Sequence, residues 1–387
     1  MSVTSPLRVC HERLSQSLDL AHTTFAELYV IATTRCITLT AALVTLTACA
    51  GDSRTSGDTG AARSSSSGVA LTGAGATFPQ PIYNKWISDY ANQTGVKINY
   101  QSIGSGGGVR QIMEQTVDFG ATDGPMSDDD LSRAKGGPIM HFPTVLGAVV
   151  LAYNLPGVTP KLRFTGQVIA DIYMGKITRW NDPRIATLNP GVSLPASDIL
   201  VVHRSDGSGT TYVFTDYLAA VSPEWLRTVG RAKEVRWPVG LGGKGNEGVA
   251  GQVKQTPGAV GYVELAYARQ NNLPFAAVRN TAGNFVDASI ESITAAAASA
   301  DLPPTTDYRV SIVNAPGASS YPISSFTWLL IYRNQDDAVK AQKLKDFMRW
   351  ALTEGEKSAA ALDYAPLPDG VAQRLIARLD SIQVVGR

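Results

Sequence analysis

The chain has 387 residues, of which 44% are hydrophobic, 34 are Lys or Arg and 33 are Asp or Glu. This length allows two domains with a large core. The balanced charge argues against partners that are bound through a large net charge, such as nucleic acid. The four histidines are scattered, and none forms a Cys/His cluster at metal-ligand spacing, so neither a metal nor a cofactor is expected.

The N-terminal region has the pattern of a secretory signal. Arg35 precedes a short apolar run, which ends in Leu-Thr-Ala-Cys at Cys49. This ending resembles a bacterial lipobox, in which the cysteine is acylated, and the run is too short to span a membrane. We therefore expect residues 1–49 to be a signal peptide and Cys49 to carry lipid. The alternative is a buried apolar helix with an incidental cysteine.

Two neighbouring segments complete this region. Residues 1–34 fit a signal poorly because they carry three acidic side chains ahead of the apolar core, so we expect translation to start beyond them. Residues 50–70 are rich in Ser, Gly and Thr and cannot bury enough apolar surface to fold. They are predicted to form a flexible tether that spans roughly 25 Å.

The rest of the chain alternates strand and helix patterns. One predicted helix has Thr165 as its N-cap and Gly175 as its stop signal. Alternation of this kind predicts an α/β fold with parallel or mixed sheets. The predicted strands are 96–100, 145–152, 199–204, 260–263 and 326–332, and the predicted helices are 82–90, 165–174, 210–218 and 336–352.

Three glycine-rich segments, 71–81, 103–112 and 203–214, stand where a helix is expected to begin. The first N–H groups of a helix are unpaired and lie at the positive end of its dipole, so such corners bind anions, and Ser and Thr add hydroxyl donors. None of the three matches a dinucleotide fingerprint, a Walker loop or a nucleophile elbow. Each corner alone indicates only a capped helix after a tight turn.

Charged residues beside these corners favour a particular anion. Arg204 and Asp206 flank the third corner, and Asp123 ends a predicted strand. A planar guanidinium suits an anion with several oxygens. A buried carboxylate can accept a hydrogen bond from a protonated phosphate oxygen, whereas it only repels sulfate. Asp206 has two interpretations: it holds Arg204 in place, or it caps the following helix.

Six segments follow one another in the order GAGATFP, GSGGGVRQI, DFGATD, GKITRWNDPRI, RSDGSGTTYVFTDYL and GAVGYVELAYA. In order and spacing they resemble the substrate-binding proteins of bacterial phosphate ABC transporters, from about residue 71 to the C-terminus. The resemblance implies a two-lobed periplasmic-binding-protein fold of type II, with two strands that cross between the lobes. Lobe one would comprise 71–152 and 320–387, and lobe two 153–319.

The resemblance also implies a phosphate site. Asp123 would accept a hydrogen bond from the phosphate proton, and Asp206 would hold Arg204. The second corner reads Gly-Ser-Gly-Gly-Gly where many relatives have Gly-Ser-Ser-Gly-Gly, which leaves Ser105 in place. The donors carried over are Thr77, Phe78 through its backbone N–H, Ser105, Arg204, Ser208, Gly209 and Thr210.

The implied function is that of a lipid-anchored receptor on the outer face of the membrane. It would bind inorganic phosphate, catalyse no reaction, and deliver the anion to the permease and ATPase subunits of an ABC importer. One alternative is a receptor for sulfate or molybdate, against which Asp123 argues. Another is a phosphatase-like enzyme built on Ser208, against which the lack of a paired base and of metal ligands argues. An adhesive or sensory protein of the same fold is a third.

Overall fold

A computed structural model describes residues 70–298, 300 and 302–385. The predicted signal peptide, Cys49 and the tether up to residue 69 lie outside the described residues. Within the described part of the chain, no helix has the length and apolar character needed to cross a bilayer.

The strands and helices alternate through most of the chain. The strands are β1 (Leu71–Gly75), β2 (Ile98–Ser102), β3 (Phe119–Thr122), β4 (Ile139–Tyr153), β5 (Arg163–Phe164), β6 (Leu200–Arg204), β7 (Leu241–Gly243), β8 (Ala259–Glu264), β9 (Ala277–Arg279), β10 (Phe285–Val286), β11 (Ser324–Tyr332), β12 (Asn334–Gln335) and β13 (Gln383–Val384). The helices are α1 (Gln80–Thr94), α2 (Ser105–Met113), α3 (Asp128–Ser132), α4 (Gly166–Tyr173), α5 (Pro183–Ala186), α6 (Gly209–Val221), α7 (Pro223–Thr228), α8 (Gly245–Gln255), α9 (Leu265–Gln270), α10 (Ile290–Ala298), α11 (Ala338–Ala351) and α12 (Asp369–Arg378).

The main sheet has the strand order β2-β1-β3-β11-β4-β8-β6-β7. Its outer strands pair in parallel in each half, whereas β11 and β4 run antiparallel to their neighbours. The mixed α/β fold predicted from the sequence is confirmed. The lobe boundaries stay a prediction.

Strand β4 belongs to both halves of this sheet. It pairs with β11 over residues 139–148 and with β8 over residues 149–153. All of its residues are buried, including His141 and Thr144, so both faces of the strand are covered. Pro143 cannot donate to the ladder, and the register with β11 shifts beside it, between Thr327 and Trp328.

Local sequence signals set the element ends. The Thr165 hydroxyl accepts from the N–H of Val168 at the start of α4, and Gly175 adopts a φ of +71° just past its end, as predicted. Trp180 is fully buried in the core, where its Nε1 donates to the carbonyl of Gly258 at 2.9 Å. The imidazole of His203 stacks on the ring of Trp237.

Candidate functional site

Two glycine-rich corners from opposite halves of the main sheet touch directly. The N–H of Gly106, in the first turn of α2, donates to the carbonyl of Gly207 at 2.7 Å. The contact leaves no room for side chains, because a Cβ placed on Gly209 would lie 2.4 Å from the Ser105 hydroxyl oxygen. The N-terminal ends of α2 and α6 are therefore in contact.

The remaining corner is joined to α6 by a buried amide. Asn246 donates from its backbone and its Nδ2 to the hydroxyl of Thr77, at 3.2 and 2.8 Å, and from Nδ2 to the hydroxyl of Thr210 at 3.1 Å. Its Oδ1 accepts from the N–H of Glu264 at 2.9 Å, which fixes the orientation of the amide. All three predicted corners thus meet in one place.

Arg204 is a buried cation at the point where the three corners meet, with 3% of its surface exposed. Its Nε donates to Asp206 at 2.8 Å, its Nη2 donates to the other Asp206 oxygen, and its Nη1 donates to the Thr210 hydroxyl at 3.3 Å. These three contacts leave two of the five guanidinium N–H groups for a ligand. Asp206 also accepts from the N–H of Gly245, and the cap of α6 is Ser208.

The hydroxyl groups are prepared to donate. The oxygen of Thr77 already accepts from Asn246, that of Ser208 accepts from the N–H of Thr211 at 3.0 Å, and that of Thr210 accepts from two donors. A hydroxyl has one hydrogen and two lone pairs. Both lone pairs of the Thr77 and Thr210 oxygens and one lone pair of the Ser208 oxygen are thus occupied, so the hydrogen of each hydroxyl is available to donate to an anion.

Asp123 is the exception in this set of donors. It is 1% exposed, accepts from the Thr327 hydroxyl at 2.9 Å, and has the Ser105 hydroxyl 3.4 Å from its other oxygen. Burial raises the pKa of its carboxyl to about 7, although the Thr327 bond, the charge of Arg204 and the Ser105 hydroxyl act in the opposite direction. Near neutral pH, Asp123 can therefore accept a proton or a hydrogen bond.

Phe78 contributes differently from the polar residues. Its ring is fully buried and packs against Tyr364, and its carbonyl accepts from the Tyr364 hydroxyl at 2.7 Å. The side chain is thus part of the core, and only the backbone N–H is left for a ligand. The neighbouring carbonyl of Thr77 accepts from the hydroxyl of Tyr267 at 2.6 Å, which anchors the loop before α1.

Sequence reasoning missed two residues of this site. Asn246 follows another glycine-rich segment, 240–245, where β7 leads into α8, so the corner pattern could have indicated it. Thr327 lies within a strand predicted only for its apolar character. Its contact with Asp123 depends on the pairing of β11 with β3 and on the register shift beside it, which nothing local in the sequence specifies.

A family model described as the PBP superfamily domain matches residues 55–354 of the chain. The chain is 48% identical to the phosphate-binding protein PstS of Pasteurella multocida over 309 residues, which cover 80% of this chain and 89% of the relative. It is 42% identical to the protein of that name from Methanocaldococcus jannaschii over 327 residues, 79% of this chain and 84% of the relative.

The fold also matches solved structures. One is the high-affinity periplasmic phosphate-binding protein PfluDING, solved with bound phosphate. The alignment has a TM-score of 0.65 at 21% identity and covers 80% of this chain and 93% of PfluDING. At this identity the likeness establishes the two-lobed periplasmic-binding fold.

Proposed function

Because the chain belongs to the PBP superfamily and, within it, to the PstS family of phosphate-binding proteins, we propose that it is an extracytoplasmic receptor for inorganic phosphate that serves an ABC importer. Its relatives are named for phosphate binding, and the function proposed here includes no catalytic step. The anion is bound between the two lobes, released to the importer, and left chemically unchanged.

The observation that carries this proposal is the composition of the site: many donors and a single acceptor. Buried Arg204, with two N–H groups to spare, meets hydroxyls whose lone pairs are already occupied. Helix N-termini add backbone N–H groups and positive potential. A tetrahedral anion satisfies all of these donors at once.

Each residue has a role in this proposal. Asp123 accepts from the protonated oxygen of phosphate, and Asp206 orients the Arg204 guanidinium through two hydrogen bonds. The side chain of Phe78 supports the loop and only its N–H binds. The donors to phosphate are Thr77, Phe78, Ser105, Arg204, Ser208, Gly209 and Thr210.

Asp123 also decides which anion is accepted. Sulfate carries no proton at neutral pH, so it would face an ionised, desolvated carboxylate without a hydrogen bond. An unpaired buried polar group costs several kcal/mol, and a site built around a hydrogen bond rejects ligands that cannot form it. The site therefore favours phosphate over sulfate and molybdate.

The location of the receptor follows from its N-terminal segment. We assign Cys49 as the lipid-bearing residue, residues 50–70 as the tether that keeps the body near the membrane, and the permease and ATPase subunits of the importer as partners. Residues 71–152 with 320–387 form lobe one in this proposal, and 153–319 form lobe two. Closure of the lobes on phosphate is the signal to the importer.

Calorimetric titration of the full chain in detergent tests the proposal. We expect tight phosphate binding and sulfate binding weaker by a few kcal/mol. Arg204→Ala should weaken phosphate binding at least about 100-fold, because it removes the cation and leaves the charge of half-buried Asp206 uncompensated beside the anion. Arg227→Ala, at an exposed position on α7, is the matched control. Unchanged phosphate affinity in a folded Arg204→Ala protein would refute the site.

A phosphatase assay tests the alternative enzyme. Turnover of a phosphate ester that Ser208→Ala abolishes would favour catalysis over transport. We expect no turnover, because the Ser208 hydroxyl caps α6 by accepting from Thr211, whereas a nucleophile needs a neighbouring base.

A further inference from the structure

Lys233 contacts both sides of the site, although it belongs to none of the glycine-rich corners. Its Nζ donates to the carbonyl of Pro125 at 2.8 Å, two residues after Asp123. Its own carbonyl accepts from the N–H of Ser208, the cap of α6, also at 2.8 Å. One residue thus joins the loop that carries the acceptor to the corner that carries the donors.

Lys233 borders a cavity of about 870 Å³ between these segments. Its ammonium lies 5.5 Å from the centre of the Tyr212 ring, and that ring packs against Gly124, next to Asp123. The charged and titratable groups that share this cavity are Asp128, Asp130, Tyr212, Arg231, Glu234 and Arg309.

The other cations of the cavity are already engaged. Arg309 pairs with Asp128, and Arg231 pairs with Asp216. Among the described residues, no carboxylate lies within ion-pair distance of the Lys233 ammonium, so its charge is not locally neutralised. The field of Lys233 therefore extends to its charged neighbours.

Asp123 and Lys233 influence each other's protonation. Burial lowers the pKa of Lys233 to about 8, and the carboxylates of Asp130 and Asp123 act against that decrease. In return, the Lys233 ammonium is one of the groups that lower the pKa of Asp123, after Thr327, Arg204 and Ser105. The charge of Lys233 also acts on the neutral, buried imidazole of His141.

Building on the proposed phosphate function, we propose that Lys233 is a positioning residue of the site. Its ammonium holds the loop that follows Asp123, its backbone carbonyl holds the α6 corner, and its charge favours the ionised form of Asp123, which can accept the hydrogen bond from protonated phosphate. Lys233 acts through Asp123 and Ser208 and does not contact the anion itself.

The effect of removing the Lys233 charge on phosphate binding should depend on pH. Loss of the charge of Lys233 raises the pKa of Asp123, so more of the free protein carries a protonated acceptor near pH 7 and below. Above pH 8, the wild-type lysine itself loses its proton, and its electrostatic contribution disappears. The penalty of removing Lys233 is therefore largest at acidic pH and shrinks at alkaline pH.

The test is titration of the full chain in detergent with inorganic phosphate at several pH values. We expect Lys233→Met to bind about tenfold more weakly than wild type near pH 6.5, where a charge and a charge-assisted hydrogen bond are lost. Near pH 9.5 the difference should be smaller, because the wild-type amine is neutral there and only its hydrogen bond to Pro125 is lost. Lys135→Met, which removes an exposed lysine paired with Glu114, is the control and should match wild type throughout.

Lys233→Arg provides the second variant, since arginine keeps its charge above pH 8. It should bind as wild type does near pH 6.5 and more tightly than wild type near pH 9.5. A Lys233→Met penalty that is the same at every pH, or no penalty, would overturn the proposal, as would an arginine variant that follows wild type at alkaline pH. Absence of phosphate binding by the wild-type chain would instead refute the proposed function.

Discussion

Asp123→Asn should improve the stability of the ligand-free protein while it impairs binding. The carboxyl of Asp123 has an ordinary pKa of 3.8 in the unfolded chain and a pKa of about 7 in the folded protein, where burial raises it. Between these values the native state binds more protons than the unfolded state, so the free energy of unfolding decreases as pH rises. Asparagine has no such dependence.

The size of this effect follows from the two pKa values. They differ by about 3 pH units, and each unit corresponds to about 1.36 kcal/mol, so ionised Asp123 destabilises the folded protein by about 4 kcal/mol above pH 7. The side chain is 1% exposed, so solvent screens little of this cost. Asn can keep the bonds to Thr327 and Ser105, because its Oδ1 accepts and its Nδ2 donates.

The assay is chemical denaturation of both proteins in phosphate-free buffer at several pH values from about 4 to 8. We expect the stability of Asp123→Asn relative to wild type to increase with pH by roughly 2–4 kcal/mol over this range. Phosphate affinity should fall about 10- to 100-fold in the same variant, because a charged acceptor is lost. A difference in stability that does not change with pH would show that Asp123 is not a desolvated, ionisable group.

Three other substitutions test separate parts of the structure. Thr327→Val removes the donor to Asp123 and should move the pH range of phosphate binding upward, as titrations at several pH values would show. Gly209→Ala places a methyl group 2.4 Å from the Ser105 hydroxyl, so calorimetry should show at least tenfold weaker phosphate binding, and denaturation should show a loss of about 1–3 kcal/mol in stability. Trp180→Ala should cost about 3–5 kcal/mol in denaturation experiments with phosphate affinity retained, since this fully buried side chain lies in the core.

The sequence predicted those parts of the site that have a local signature. Glycine, serine and threonine before a helix, with Arg204 and Asp206 two residues apart, can be read without knowing the fold. The corner before α6 forms as the sequence predicts, and Ser208 rather than Asp206 caps the helix. Both oxygens of Asp206 pair with Arg204, and one of them also accepts from the N–H of Gly245 at the start of α8 rather than from α6.

The rest of the site depends on contacts between distant segments. Thr327 meets Asp123 across 204 residues, and Asn246 meets Thr77 across 169. Lys233 lies in a loop whose sequence has neither periodicity nor a motif, and its contact with Pro125 exists only after both halves of the sheet have assembled. A single sequence does not specify such pairings, because they are set by register and packing.

The contact between α2 and α6 also affects how the two halves of the main sheet come together. Each helix carries roughly half a positive charge at its N-terminus, and the two ends meet where Gly106 touches Gly207. Like charges at this distance repel in a buried setting, and an anion between them reverses the sign of the interaction. An anion bound where the two ends meet would therefore stabilise the arrangement in which α2 and α6 touch.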